Sequence, residues 1–445
     1  VTAGTAALGL ALPLAAGVVV LLLILVMSYR QVIAAYPPGG GAYMVTRDNL
    51  GELFAAVCAA ALLVDYVLTV AVSVSAGTAA LASAVPELRD LRVEISVGFV
   101  VLLAWGNLRG IRESGRIFAI PTYVYIVSLG GVVVLGIYRV LSGSLGPIVY
   151  DAAAARELAG TAGATATVSL FLLMHAYAAG TTALTGVEAI ADGVPAFKKP
   201  EARNAQRTLT AMALIMGFLF LGITWLAVEL DVRPFESGYP TVIAQIARQV
   251  LGDGPAFILV QAATLLILVL AANTSFSGFP LLASFASGDA LLPRQLRKRG
   301  HRLVYSNGII ALSAIAIFLI VAFRADTHAL IPLYAVGVVL SFTLSQAGMT
   351  RRHLRLREPG WRSGILLNGV GALATGVALV VIVVGKFAEG AWMVVVAIPL
   401  LVWLLLRIQH TYGREVRQLK VELSHHLAPP KPRHEVVVLL EDLDQ

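Results

Sequence analysis

The chain has 445 residues, of which 58% are hydrophobic and only 13% are charged. Soluble domains carry about 25% charged residues, so this composition excludes an ordinary soluble protein and indicates an integral membrane protein. The net charge of +7 does not indicate a nucleic-acid partner, because basic residues in membrane proteins collect in the loops of one side. The single cysteine excludes a disulfide framework.

Apolar stretches of about 20 residues recur along the whole chain, and each is long enough to cross a hydrocarbon core of ~30 Å. They predict an all-α membrane protein with eleven transmembrane helices, and an amphipathic helix outside the bilayer at 240–252. The predicted spans are 7–28, 53–85, 93–108, 117–139, 165–191, 208–229, 256–285, 306–323, 329–350, 364–384 and 391–407.

Most of the 33 lysines and arginines fall in the loops of one side of this arrangement. By the positive-inside rule that side is cytoplasmic, and it includes the C-terminus. The loops at 192–207, 286–305 and 351–363 are therefore predicted to be cytoplasmic.

Both ends of the sequence lead us to expect further segments. Eleven spans with a cytoplasmic C-terminus place Val1 outside the cell without a signal that would carry it there, so a twelfth span is expected upstream. At the other end, EVVVLLEDLDQ is typical of the first strand of a soluble domain. We therefore divide the chain into a transmembrane domain at 1–410 and a cytoplasmic tail at 411–445 that begins a regulatory domain.

The second span contains a polar face in the stretch LLVDYVLTVAVSVSAGT. Asp65, Thr69 and Ser73 recur every four residues and so share one side of the helix, with Tyr66 beside them. A carboxylate inside the bilayer is costly, and it is expected to face the bundle interior or a wet cavity. Carboxylate and hydroxyl oxygens together suit a hard cation or an ammonium group. The alternative is a structural hydrogen bond between helices.

The fifth span has a similar composition in HAYAAGTTALTGVEAIADGVPAF. Gly180 and Gly186 bracket three threonines, including Thr185, and this predicts local unwinding at the middle of the membrane. Glu188 follows as a second buried carboxylate, which can contact the cation, carry a transported proton or hold two helices together. In the ninth span, the Tyr334 hydroxyl can close the site from a third helix, or the ring can simply pack.

Two other motifs are given no part in the site. The glycine-rich PPGGGAY at 37–43 resembles a phosphate-binding loop only superficially, because no strand precedes it and no Lys-Ser/Thr follows. The polar motif AANTSFSGFP in the seventh span is interpreted as a helix-packing surface or as part of the lining of a substrate path.

The segments SYRQVIAAYPPGGGAYMVTRDNLG, LLVDYVLTVAVSVSAGT, ALTGVEAIADGVPAFKKPEARNAQRTL and LIPLYAVGVVLSFTLSQAGM resemble the KimA-type potassium importers of the amino acid–polyamine–organocation (APC) superfamily. The resemblance runs from Val1 to Gly413. It implies a LeuT-like fold of two inverted five-helix repeats plus two further helices, twelve spans in all. It also implies proton-coupled potassium (K+) uptake across a bacterial plasma membrane by a homodimer, without a cofactor. A cytoplasmic C-terminal domain that binds cyclic di-AMP is expected to inhibit transport.

The resemblance also implies a set of ion-contacting residues, with Glu188 as our preferred proton-linked group. The family's first broken helix, which adds an aspartate and a tyrosine, has no counterpart in this sequence. The implied potassium-binding residues are Asp65, Tyr66, Thr69, Ser73, Thr185, Glu188 and Tyr334.

Two alternatives remain at the level of sequence. The first is an amino acid or polyamine permease of the same superfamily, since a fold does not determine a substrate. The second is a membrane enzyme or a sensor that does not transport. The sequence offers no paired metal-ligand motif and no nucleophile elbow, so this alternative is the weaker one.

Overall fold

A computed structural model of the chain describes residues 8–110, 115–150, 170–184, 186–235, 238–297 and 305–419. Over these residues the regular structure is helical and contains no strand. Eight of the described helices are long and apolar enough to cross a membrane, and the helices at 242–251 and 306–322 are shorter and also apolar. The prediction of an all-α membrane fold is confirmed.

The described residues form fourteen α-helices, numbered here in chain order. A helix lies at each of the eleven predicted positions, and the fifth is interrupted. The helices are α1 (Leu8–Ala35), α2 (Gly41–Leu50), α3 (Glu52–Ala84), α4 (Arg92–Leu108), α5 (Gly115–Leu141), α6 (Leu170–Gly180), α7 (Val187–Asp192), α8 (Glu201–Glu229), α9 (Val242–Leu251), α10 (Pro255–Gly288), α11 (Ser306–Ala322), α12 (Thr327–Leu356), α13 (Trp361–Gly385) and α14 (Trp392–Leu419).

Several helices run further than the sequence predicted, and α1 and α14 are two of them. α1 passes its predicted end at residue 28 and stops at Ala35, because Pro37 and Pro38 cannot continue the helical hydrogen bonds. α14 continues to Leu419 without a break at 410. The strand predicted in EVVVLLEDLDQ lies outside the described residues.

α3 and α12 form the centre of the helix bundle. In α3, 72% of the most apolar window is buried, and in α12 67%, whereas the other six long helices reach at most 33%. The two central helices pack closely at Gly337, where a Cβ atom would lie 3.0 Å from the carbonyl oxygen of Ala61. These two helices carry the candidate residues Asp65 and Tyr334, so the candidate site lies in the core of the bundle.

Loops that the sequence assigned to one side of the membrane meet at one end of the molecule, which we call the arginine-rich end. Arg47 on α2 pairs with Asp289 after α10 at 3.0 Å, and Arg355 at the end of α12 donates to Asn49 at 3.1 Å. Tyr43 donates to Asp289 at 2.6 Å. Burial and the neighbouring Asp289 both raise the pKa of Tyr43, so its hydroxyl keeps its proton and remains a donor.

The opposite end is closed by α9, the amphipathic helix that the sequence predicted. Thr241 caps this helix by accepting a hydrogen bond from the Ala244 N–H at 3.2 Å. Its apolar side packs on Val132 and Leu226. Arg139 of α5 donates to the Val250 carbonyl at 2.6 Å and fixes the end of α9.

Candidate functional site

The site begins with a break in the fifth predicted span. α6 ends at Gly180, a short 3₁₀ turn covers Thr181–Leu184, and α7 starts after Gly186, whose φ is 90°. The predicted unwinding is therefore confirmed. Thr185, assigned to the site by family resemblance, lies outside the described residues.

α7 brings two carboxylates into the protein interior, one helical turn apart. Glu188 and Asp192 are each 6% exposed. Glu188 accepts hydrogen bonds from the Tyr29 hydroxyl at Oε2 and from the Ala42 N–H at Oε1, at 2.7 Å. Asp192 accepts from the Tyr66 hydroxyl at Oδ2, at 2.5 Å, while its buried Oδ1 has no hydrogen-bond donor among the described residues.

The glycine-rich segment before α2 packs directly against this pair. A Cβ atom on Gly41 would lie 2.5 Å from Glu188 Oε1 and closer still to Asp192 Oδ1. Gly41 has φ +38° and Gly39 has φ +89°, and a Cβ on Gly39 would meet the Asp192 carbonyl at 2.5 Å. Only residues without a side chain allow this approach. PPGGGAY was assigned no part in the site from the sequence, whereas the structure places it beside both carboxylates.

The polar face of α3 starts next to the pair. Asp65 is 8% exposed and Tyr66 5%, and the charges of Asp65 and Asp192 lie close enough to interact. Thr69 Oγ1 lies 3.5 Å from Asp65 Oδ1, at the outer limit of a hydrogen bond. Gly278 of α10 makes room for the Tyr66 ring, because a Cβ there would come 2.5 Å from Cε1.

Ser73 lies too far along α3 to share one ion with Asp65. Eight residues of helix separate the two by about 12 Å along the axis, whereas cation–oxygen contacts in proteins are on the order of 2–3 Å. Thr69 and Ser73 are both partly exposed. The face therefore has the geometry of a path with several positions rather than of one coordination shell.

Tyr334 lies on the second central helix, near the same level. It is 7% exposed, and one turn further along α12 a Cβ on Gly337 would lie 3.7 Å from the Asp65 Cβ. The structure therefore brings Asp65, Tyr66 and Glu188 together. α12, which carries Tyr334, lies beside them, and Ser73 is separated from them along α3.

Besides the glycine-rich segment, sequence reasoning missed two polar side chains of the site. Tyr29 and Asp192 each fall one residue beyond a predicted span, at 7–28 and 165–191, and Asp192 was counted in the loop at 192–207. The structure corrects this assignment, because Asp192 is buried at the end of α7. The available signal was its spacing of four residues from Glu188, the same spacing that links Asp65 to Thr69.

Comparisons with known proteins place these observations in a family. Residues 1–405 match the family described as Amino acid permease. The chain is 43% identical over 420 residues to the protein named potassium transporter KimA of Bacillus subtilis (strain 168), covering 94% of this chain and 68% of that protein. A crystal structure of the Eremococcus coleocola manganese transporter is similar with a TM-score of 0.37 and 14% identity, over 94% of this chain and 92% of that one, a likeness too weak to define the fold. The chain therefore belongs to the amino acid permease family, and it is a membrane transporter rather than an enzyme.

Proposed function

We propose that this protein is a secondary transporter that imports potassium, coupled to the movement of protons. The observation that carries the proposal is that Asp65 is buried and has only one weak hydrogen-bond partner among the described residues. The residue is 8% exposed, and among the described residues its only hydrogen bond is the 3.5 Å contact with Thr69. A buried charge without a partner costs several kcal/mol, and a bound monovalent cation removes that cost. The relative at 43% identity is named a potassium transporter.

The ion is held by oxygens that replace part of its hydration shell. Asp65 supplies the charge, and Tyr66 and Thr69 supply hydroxyl oxygens beside it. Ser73 lines the same face further along α3. Thr185 and Tyr334 complete the set by family resemblance, from the broken helix and from α12.

Glu188 is the proton-linked group in this proposal. Its Oε1 and the Asp192 Oδ1 face the same small space beside Gly41, and two carboxylates this close repel each other when both are ionised. A single proton removes the repulsion. The hydrogen bonds from Tyr29 and Ala42 hold the Glu188 side chain in place whether or not it carries that proton.

The remaining features follow from the family resemblance. Transport proceeds by alternating access around a site near the bilayer midplane. The arginine-rich end and the C-terminus lie in the cytoplasm of a bacterial cell, the protein is a homodimer in the plasma membrane, and cyclic di-AMP inhibits it through a C-terminal domain.

A second candidate function is the transport of an amino acid or a polyamine, because the matching family is described as Amino acid permease. Asp65 would then bind the ammonium group of the substrate. Both functions use the same carboxylate, so only a measurement of transported substrates separates them.

A growth experiment tests the role of Asp65. The full-length protein that contains this sequence is expressed in a bacterium that lacks potassium uptake, and growth is measured on limiting potassium. The wild type is expected to restore growth, and Asp65→Asn to reduce potassium uptake at least tenfold, because the substitution keeps the shape and removes the charge that offsets dehydration of the ion.

The control is Asp289→Asn, the same change at an aspartate outside the site, where the amide oxygen can still accept from Tyr43. This variant is expected to restore growth. Full rescue by Asp65→Asn would show that Asp65 is structural. No rescue by a wild-type protein that reaches the membrane would contradict the potassium proposal itself.

A further inference from the structure

The polar face of α3 is accessible toward only one end of the molecule. From Thr69 onward, Ser73, Ala76 and Ala79 are all partly exposed, at helical spacing. Ala76 and Ala79 line a cavity of about 180 Å³ at the end opposite the arginine-rich one, together with Asp326 and His328. A stripe of accessible surface therefore leads from the level of Asp65 to that cavity.

Toward the arginine-rich end the same helix is sealed. Cys58, Ala61 and Leu62 are fully buried. α7 packs against this part of the bundle, because Asp192 accepts from Tyr66 of α3 and Glu188 accepts from the Ala42 N–H of α2. The face of α3 from Asp65 to Cys58 is therefore closed in the described structure.

α7 is six residues long, and side-chain contacts hold its carboxylates against three other elements. Tyr29 joins it to α1, the Ala42 N–H joins it to α2, and Tyr66 joins it to α3 through Asp192. The last contact is at the level of the proposed ion, because Tyr66 directly follows Asp65 in the chain. It also ties α7 to α3, a central helix of the bundle.

We propose that Asp192 is a positioning residue of the transporter: by holding Tyr66 it keeps α7 against α3 and closes the route from Asp65 to the arginine-rich end. That this route opens to the cytoplasm rests on the proposed function. That α7 closes the route does not depend on which substrate the protein carries. Breaking the bond between Tyr66 and Asp192 releases α7 and opens the route.

Cys58, the single cysteine of the chain, is a built-in reporter of this closure. Membrane vesicles in sodium buffer without potassium are treated with N-ethylmaleimide, and modification of Cys58 is followed by mass spectrometry. Wild-type Cys58 is expected to react slowly. Asp192→Ala removes the acceptor and is expected to speed the reaction about tenfold, the effect of losing one charge-assisted hydrogen bond. Asp192→Asn keeps an oxygen that accepts from Tyr66, so its rate is expected to stay within about twofold of wild type.

Two further variants separate closure from general loss of stability. Asn368→Ala removes a fully buried amide of similar size, which bonds Ser28 and Gln31 between α1 and α13, and is expected to leave Cys58 protected. Tyr66→Phe removes only the hydroxyl that donates to Asp192 and is expected to expose Cys58, even if Asp192→Ala fails to fold.

Protection of Cys58 in Tyr66→Phe would overturn the proposal, as would equal exposure in Asp192→Asn or Asn368→Ala. The reaction is measured without potassium or a gradient, so a failure of the potassium proposal would leave this result unaffected. Conversely, if Cys58 is protected in every variant, the proposal that Asp192 closes the route is rejected, and the proposal of potassium transport is unaffected.

Discussion

The three buried carboxylates of the site differ in how many hydrogen bonds they accept from the described residues. Glu188 accepts from two donors, Asp192 accepts from Tyr66 at one oxygen only, and Asp65 has a single contact at the limit of a hydrogen bond. A carboxylate with good donors is stable without an ion, whereas one without them requires a cation or a proton. This gradient supports the ion at Asp65, whereas the proposed proton at Glu188 is supported by the repulsion between its carboxylate and that of Asp192.

The spacing of polar residues in the sequence was sufficient to propose Asp65, Tyr66, Thr69 and Glu188 as candidates, because each is a polar residue on a helix with an apolar background. It could not identify Gly41. The contact of segment 39–42 with Glu188 joins residues 146 positions apart, and no local pattern in PPGGGAY encodes the presence of a carboxylate there.

Gly41→Ala is expected to destabilise the protein and to abolish transport. Its φ of +38° strains a side chain, and the new Cβ would overlap both carboxylates. Left-handed backbone costs about 1–2 kcal/mol and overpacking about 1–3 kcal/mol, so the free energy of unfolding is expected to fall by about 2–5 kcal/mol. A lower melting temperature in detergent and loss of growth on limiting potassium are the measurements.

The matched control is Gly143→Ala, where φ is +70° and no atom lies within 4 Å of the new Cβ. At Gly143 only the cost of the left-handed backbone applies. The free energy of unfolding is therefore expected to fall by about 1–2 kcal/mol, and transport is expected to be retained. Equal losses at the two positions would show that the approach of Gly41 to the carboxylates has no special importance.

At the scale of helices, the positions were predictable and the ends were not. Hydropathy places the end of a span where polar residues begin, near Arg30, but a helix ends where its backbone hydrogen bonds stop, at Pro37 and Pro38. α1 therefore continues through Tyr29. The same difference applies to the fifth span, where the helix resumes after Gly186 and carries Asp192 inside. Tyr29 and Asp192 were missed for this one reason.

The interruption of the fifth span was predictable because glycine and threonine are weak helix formers, and a buried helix composed of them is only marginally favourable.

The composition of a helix does not reveal which helix lies at the centre of the bundle. α3 and α10 have nearly equal hydropathy, yet α3 is buried over 72% of its most apolar window and α10 over 33%. Burial in the bundle is a property of packing between distant segments, so it required the structure.

For the whole molecule, the distribution of basic residues predicts that the arginine-rich end is cytoplasmic. Single cysteines are introduced at Lys199, Gln295 and Glu358, exposed positions in the three predicted loops, in a Cys58→Ala background. In intact cells these cysteines are expected to resist a membrane-impermeant thiol reagent and to react after the cells are opened.

A cysteine at Asp253, exposed beyond α9 at the opposite end, is the control and is expected to react in intact cells. Ready labelling at two of the three arginine-rich positions would reverse the topology, and with it the direction in which the closed face of α3 opens.

The central claim is that the protein carries potassium, and flux through the purified protein tests it most directly. Proteoliposomes with an inward proton gradient are supplied with radiolabelled rubidium as a tracer for potassium. Uptake is expected to exceed that of empty liposomes, to fall at least tenfold with excess unlabelled potassium or in Asp65→Asn, and to be unchanged by excess amino acids or polyamines. Accumulation of a labelled amino acid or polyamine without rubidium uptake would contradict the account and identify the protein as a permease for organic substrates.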